Sequence, residues 1–276
     1  MNIYDTITNR IIDQLERGVA PWTQPWRGGA SGAPANFVSQ RNYSGINTLL
    51  LGLSGYTSRY WLTYRQAVAL GGHVRKGETG TPIVFVSAFD SKTETKRDGT
   101  PQRVAFLKTY SVFNVTQCDG VDTAADVPVT PVAPVEAAEA IAAGYDGPSR
   151  DLHADRAYYR PATDHVAVPA LDRYAKAASY YNTLFHELIH STGHASRLSR
   201  AAVVDVQHFG NALYSREELV AEVGAAFLCA TAGLETVAAS ASYCQSWLTV
   251  LKADNRLIVS AASQASAAAN YILHRD

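Results

Sequence analysis

Phe185-His186-Glu187-Leu188-Ile189-His190 is the stretch that decides the fold of this 276-residue chain. Two histidines four positions apart on a helix stand about 40° apart around its axis, so both imidazoles point the same way. Zn2+ accepts neutral imidazole nitrogens, and two of them from one helix leave room for a third protein ligand and a water. Glu187 lies beside the first histidine, where its carboxylate can reach that water. Its expected role is general base on the water and then proton shuttle to a leaving amine. The spacing predicts the metal-binding helix of a zinc-metallopeptidase-type domain, with His186 and His190 as ligands.

Downstream, the run Tyr214-Ser-Arg-Glu-Glu218-Leu-Val-Ala-Glu222-Val-Gly-Ala-Ala-Phe227 reads as a second helix that could supply the missing carboxylate. Leu219, Val220, Val223 and Phe227 would pack it against the first helix. Ala221, Gly224 and Ala225 are small enough to let the two approach closely. Glu217, Glu218 and Glu222 compete for the ligand position. Glu218 and Glu222 are four apart, so one can bind the metal while the other supports a histidine from behind. Glu217 reads as a solvated surface residue. His194, past the helix-ending Gly193, is a rival third ligand of lower rank. Tyr214 and His208 are candidates for stabilising an oxyanion or touching substrate.

The rest of the chain divides around a linker. Ile3, Ile7, Ile11 and Leu15 recur every four residues and predict a first helix that Gly18 ends. Further helices are expected at Asn47–Leu53 and from near Thr63 to Gly71-Gly72. Thr81–Phe89 and Val104–Val115 read as paired strands, joined by a charged loop over 92–103 that carries Asp98-Gly99. An Ala/Val/Pro/Asp-rich stretch around Asp122–Pro134 is the linker. Beyond it, helices are expected at Glu136–Ala143, Tyr174–Thr192, Arg216–Ala232 and Ser242–Leu273, with an edge strand around His165-Val166-Ala167-Val168. The predicted class is α+β in two domains, 1–120 and 135–276, joined by 121–134. The second would be mostly helical with a small sheet.

Composition narrows the function. The three cysteines, Cys118, Cys229 and Cys244, form no Cys-x-x-Cys pair, which suits a reducing, cytoplasmic setting and argues against a cysteine zinc site. No apolar run is long enough to span a membrane. A net charge of −1 hides an asymmetry: residues 1–120 hold 13 Lys/Arg against 8 Asp/Glu, whereas the remainder holds 11 against 17. A basic half suggests a polyanion as partner. That half interleaves aromatic rings with cations, as a single-strand binder requires. The candidates are Trp22, Trp26, Arg41, Tyr43, Arg59, Tyr60, Trp61, Arg65, Arg75 and Lys76.

Phe185-His-Glu-Leu-Ile-His-Ser-Thr-Gly-His194, Arg197-Leu198, Phe209-Gly210 and Tyr214–Glu222 together resemble the zincin-type domain of the ArdC antirestriction family of conjugative plasmids. Ser44-Gly-Ile-Asn47, Trp61–Gln66 and Gly71–Val84 match the same family, so the resemblance covers nearly the whole chain. It implies an N-terminal domain that binds single-stranded DNA and a C-terminal metallopeptidase-like domain of the glutamate-ligand (gluzincin) type. It also implies protection of incoming plasmid DNA from restriction, with a host restriction-system protein as a conceivable target. By this resemblance Glu218 is the third ligand and Glu222 supports a histidine, around Zn2+ or another divalent ion such as Mn2+. Two other readings compete with antirestriction by binding: an active DNA-targeted zinc endopeptidase, and an interaction protein with a structural metal.

Overall fold

Helix α1 (Ile3–Glu16) begins with a reciprocal cap: the Asp5 amide donates to the Asn2 side chain and the Asn2 amide to the Asp5 carboxylate, each at 2.9 Å. Two of the donors that a helix start leaves open are thereby satisfied. The structure, a computed structural model, describes residues 2–23, 33–95, 101–122, 134–204, 212–234 and 241–275, without side chains at 23, 88–95, 101–105, 134, 212–214 and 241–242. Ile7, Ile11 and Leu15 form the buried stripe of α1 that their spacing predicts.

The N-terminal half follows with β1 (Ala35–Asn36), α2 (Ile46–Gly52), β2 (Tyr60–Leu62), α3 (Tyr64–Ala69), β3 (His73–Val74), β4 (Thr81–Thr95), β5 (Pro101–Asn114) and β6 (Cys118–Asp119). Its main sheet has the order β1-β2-β5-β4, with β3 and β6 forming a separate ribbon. The β4–β5 pairing is antiparallel and runs from Thr81↔Val112 out to Thr95↔Pro101, so the strands consume most of the expected charged loop. What is left of that loop, residues 96–100, lies outside the described residues, as does the linker over 123–133. β2 pairs with β5 only at Trp61↔Asn114 and Leu62↔Phe113, which leaves the rest of the hairpin as a two-stranded arm.

The C-terminal half holds α4 (Pro134–Gly144), β7 (Ser149–Asp151), β8 (Tyr158–Arg160), β9 (His165–Ala167), α5 (Ala177–Thr192), α6 (Ala201–Val204), α7 (Ala212–Ala232), α8 (Ala241–Ala253) and α9 (Leu257–Ile272). Two expectations need correction. β9 is the central strand of a β7-β9-β8 sheet, not an edge, because a neighbour pairs on each side and Val166 and Ala167 are fully buried. The single long helix expected over Ser242–Leu273 is two helices, α8 and α9. At the break the Arg256 amide donates to the Asp254 side chain at 2.9 Å, and tertiary contacts hold Asn255: its backbone carbonyl accepts from Thr8 Oγ1 at 2.6 Å, and its side-chain Nδ2 donates to Asp5 at 2.6 Å. One continuous core runs from Ile7, Ile11 and Leu50 to Phe185, Leu219 and Ile258, so the two halves are packed on each other through α1, α2, α8 and α9. No helix among the described residues is long and apolar enough to cross a membrane.

Candidate metal centre

α5 and α7 cross closely enough to bring histidines and glutamates to one point. A Cβ on Gly224 of α7 would stand 2.8 Å from Ile189 Cδ1 of α5, so only glycine permits this approach. The result is a triangle of donors. His186 Nε2 and His190 Nε2 are 3.1 Å apart, and Glu218 lies 3.5 Å from the first and 3.6 Å from the second. Ligands about 2.0–2.1 Å from a tetrahedral Zn2+ stand about 3.3 Å from one another. The triangle is therefore already ion-sized, and two imidazoles with one carboxylate make a donor set suited to such an ion.

The outward-facing nitrogens of both rings are turned toward carboxylates. His190 Nδ1 is 3.2 Å from Glu217 Oε1. His186 Nδ1 faces Glu222 Oε1 at 3.9 Å, an electrostatic contact longer than a hydrogen bond. A proton on each Nδ1 leaves each Nε2 lone pair aimed into the triangle. Glu217, expected on the surface, is 5 % exposed. It is clamped by Arg200, itself buried, through Nε to Oε2 at 2.9 Å and Nη2 to Oε1 at 2.6 Å. Burial alone would raise the Glu217 pKa, but these bonds and His190 hold it below the usual carboxylate range. Arg200 also donates to Thr192 Oγ1 and to the Ile189 carbonyl, which pins it to the end of α5. Sequence reasoning missed this pair. Its only trace is an arginine ten residues past His190, after a glycine whose Cβ would clash with Val203 Cγ2 at 2.5 Å.

Glu222 is held in turn. It shares a hydrogen bond with the Tyr243 phenol, and the phenol oxygen accepts from Trp22 Nε1 at 3.0 Å. A part-buried line of polar groups thus leads from Trp22 in the N-terminal half to His186. His194 bonds Ser196 instead and takes no part in the triangle. Tyr214 lies in the first turn of α7 with its side chain outside the described residues, and His208 lies outside them altogether.

Glu187 sits beside the triangle, 8 % exposed. Burial pushes its pKa up, while His186, His190 and the Tyr159 backbone amide of β8 draw it down, with a net rise. A raised carboxylate pKa suits a group that must take and return a proton. Burial would lower His186, but Glu218, Glu222 and Glu187 outweigh it and lift its pKa to about 9. Three carboxylates around one imidazole are an excess of negative charge that a cation relieves.

The turn before β9 is fastened by Asp164, which has a left-handed backbone (φ 44°). It accepts from both Arg197 Nη atoms and, at 2.9 Å, from the Tyr159 hydroxyl, while Arg197 Nε donates to the Ser191 carbonyl at 2.8 Å. The Arg197 bonds, opposed by burial and aided by Tyr159, hold the Asp164 pKa below its ordinary value of 3.8. A depressed carboxylate stabilises the fold above its unfolded pKa, and that stability disappears as pH falls through the folded value. In chelator-treated protein, Asp164→Asn should therefore melt earlier than wild type near neutral pH. The two curves should draw together as pH falls below the ordinary carboxylate value of 3.8 and on through the lower folded value. A melting gap that stays constant from neutral to acid pH would rule out this ion pair as its source.

The expected nucleic-acid residues differ in how far solvent reaches them. Trp22 and Trp61 are fully buried, Trp22 among α1, α7 and α8 and Trp61 within the sheet, so neither ring offers a face to a base. Arg75 is occupied by Glu78, Asp119 and the Thr116 carbonyl. Arg59 bonds Asn42 and lies over the half-buried Tyr60. Arg41, Arg65 and Lys76 are exposed, Tyr43 is half-buried, and Trp26 lies outside the described residues. Sequence reasoning passed over Phe85 and Tyr110, the exposed aromatic rings on the sheet among the described residues.

The family model for the N-terminal domain of the anti-restriction factor ArdC matches residues 1–113. That for a zincin-like metallopeptidase matches residues 136–264. Protein y4eC of Sinorhizobium fredii is 37% identical over 98% of this chain and 91% of its own length. The DNA primase TraC of Escherichia coli is 36% identical over 98% of this chain, which spans only 27% of that protein. Crystal structures of the antirestriction protein ArdC from plasmid R388 superpose with TM-scores of 0.77 (metal-free) and 0.76 (Mn(II)-bound). Identity is 36% and 37%, with 99% of this chain covered in both cases and 97% and 98% of theirs.

Proposed function

The chain belongs to the ArdC antirestriction family, and we propose that it protects incoming plasmid DNA from host restriction by holding it as single strands, with a peptidase-type metal centre in its C-terminal half. The observation that carries the reading is the convergence of His186, His190 and Glu218 beside a buried Glu187, in a chain whose other half is basic. His186, His190 and Glu218 hold the ion. The Mn(II)-bound relative supports a divalent metal here. A divalent cation so held supplies a Lewis acid that acidifies a water and polarises a peptide carbonyl. Glu187 takes a proton on its carboxylate and passes it to the leaving amine. Glu217 and Glu222 fix the two imidazoles with their Nε2 atoms inward. Tyr214 and His208 remain the candidates for touching substrate.

A carboxylate base beside the ion favours a site that turns over, because a purely structural metal gains nothing from it. On this reading the DNA localises the protein, and the peptidase-type centre acts on a protein partner such as a host restriction subunit. Two measurements test the framework. Chelator-treated protein titrated with Zn2+ or Mn2+ should take up one ion. Glu218→Ala should weaken that uptake by more than the roughly 10–100-fold that loss of a residue behind a ligand costs. Affinity for single strands should exceed that for duplex and fall steeply with salt. No ion bound by the wild type would sink the metal reading. Equal or negligible binding of both DNA forms at low salt would sink the DNA reading.

A further inference from the structure

We propose that the root of the β4–β5 hairpin is a base-stacking site for single-stranded nucleic acid, with Phe85 and Tyr110 as the stacking rings and Lys108 as the phosphate partner. The site deepens the DNA-binding reading and rests on it. Strand register builds it. Ile83 pairs with Tyr110 and Phe85 with Lys108 across the two strands, so all four lie on one face of the sheet. Ile83 is buried against Leu51, Trp61 and Val112, which form a rigid floor. Above that floor Phe85 and Tyr110 are each 48 % exposed, with ring centroids 5.6 Å apart at 76°. Two half-exposed aromatic rings packed edge to face are costly to leave in water unless something covers them.

They border a cavity of about 470 Å³ with a polar wall of Asn36, Tyr43, Thr63 and Gln66. The wall is pre-organised. The Gln66 carboxamide oxygen accepts from the Thr63 amide at 2.8 Å, and Asn36 and Gln66 exchange hydrogen bonds at 3.2 and 3.3 Å. Aromatic rings, fixed amides and a phenol lining one cavity suit a flat heterocycle with polar edges. Lys108, exposed at the rim, suits the phosphate attached to it. Bases can reach such rings only when they are unpaired.

The alternative occupant of an exposed sheet is a peptide added as a further strand. Asn47 opposes that. Its side chain donates to the Val84 carbonyl at 2.7 Å and accepts from the Val84 amide at 2.8 Å, closing the outer edge of β4 just where the site lies. The excess of cations over anions in residues 1–120 also favours a polyanion over an apolar partner.

The test is fluorescence anisotropy of a labelled oligo-dT strand with the full chain. Phe85→Ala and Tyr110→Ala should each weaken binding about 5- to 100-fold, whereas Phe85→Tyr and Tyr110→Phe should bind nearly as wild type. Lys108→Ala should reduce the salt slope by about one. Circular dichroism spectra and uptake of Zn2+ by the C-terminal site should be unchanged, since both rings are half exposed and lie on the other half of the chain. If the wild type binds oligo-dT and both alanine variants bind it equally well, this site is wrong while DNA binding stands. If the wild type binds no single strand at low salt, both fall together. Binding of unlabelled peptide, but not nucleotide, competing at these rings would assign the face to a protein.

Discussion

Glu187→Gln is expected to abolish peptide hydrolysis while leaving metal and fold in place. Loss of a positioned general base costs about 10²–10⁴-fold in rate. Glutamine keeps the volume of a side chain that is 8 % exposed, so packing around β8 survives. The metal survives because Glu187 is not one of the three converging donors. The substitution therefore separates chemistry from structure, which substitution of His186, His190 or Glu218 cannot do. The assay is cleavage of an unfolded protein such as casein, with Zn2+ or Mn2+ and with single-stranded DNA added or withheld. Melting temperature and metal uptake are measured on the same samples. Equal turnover by wild type and variant would overturn the assigned role. No turnover by the wild type under any of these conditions would overturn the peptidase reading and make the centre structural.

How much of this was legible in the sequence depends on whether a residue's partner is near it in the chain. His186, Glu187 and His190 share one helix, and helical periodicity alone puts them on adjacent faces. Gly224 and its small neighbours foretold the close crossing of α5 and α7 because size is a local property. Glu217 was misread because its partner Arg200 lies on a loop, and nothing in Glu217-Glu218 says which carboxylate turns inward. The break between α8 and α9 had a local trace in Asp254-Asn255, both weak helix formers, but the contacts that fix Asn255, to Thr8 and Asp5, come from the far end of the chain. Trp22 shows the limit of composition. A tryptophan in a proline-bordered loop invites the assignment of a stacking ring, but this one fills the core and supports Glu222 through Tyr243. Phe85 and Tyr110 sit in strands that were predicted. Their shared face follows only from register, which the hairpin fixes.

The buried Arg200–Glu217 pair should show the largest effect on stability, and it allows stability and function to be pulled apart. Arg200→Met removes the cation that satisfies Glu217 and leaves a carboxylate 5 % exposed with only His190 beside it. Breaking a buried pair on one side costs about 3–5 kcal/mol, on the order of 10 °C in Tm for a chain of this size. The double variant Arg200→Met/Glu217→Leu removes both charges and fills the space with apolar atoms. A buried pair replaced in this way is commonly neutral or stabilising, so the Tm of the chelated protein should return near wild type. Metal affinity should not return. Without Glu217, no carboxylate holds the Nδ1 proton of His190, and the ring loses the partner that aims Nε2 at the ion, a loss of about 10–100-fold. Metal competition against a chromophoric chelator and melting of the chelated protein read the two effects separately. A double variant that recovers both would mean the pair serves packing alone. One that recovers stability but not affinity would place Glu217 in the metal centre as the group that orients His190.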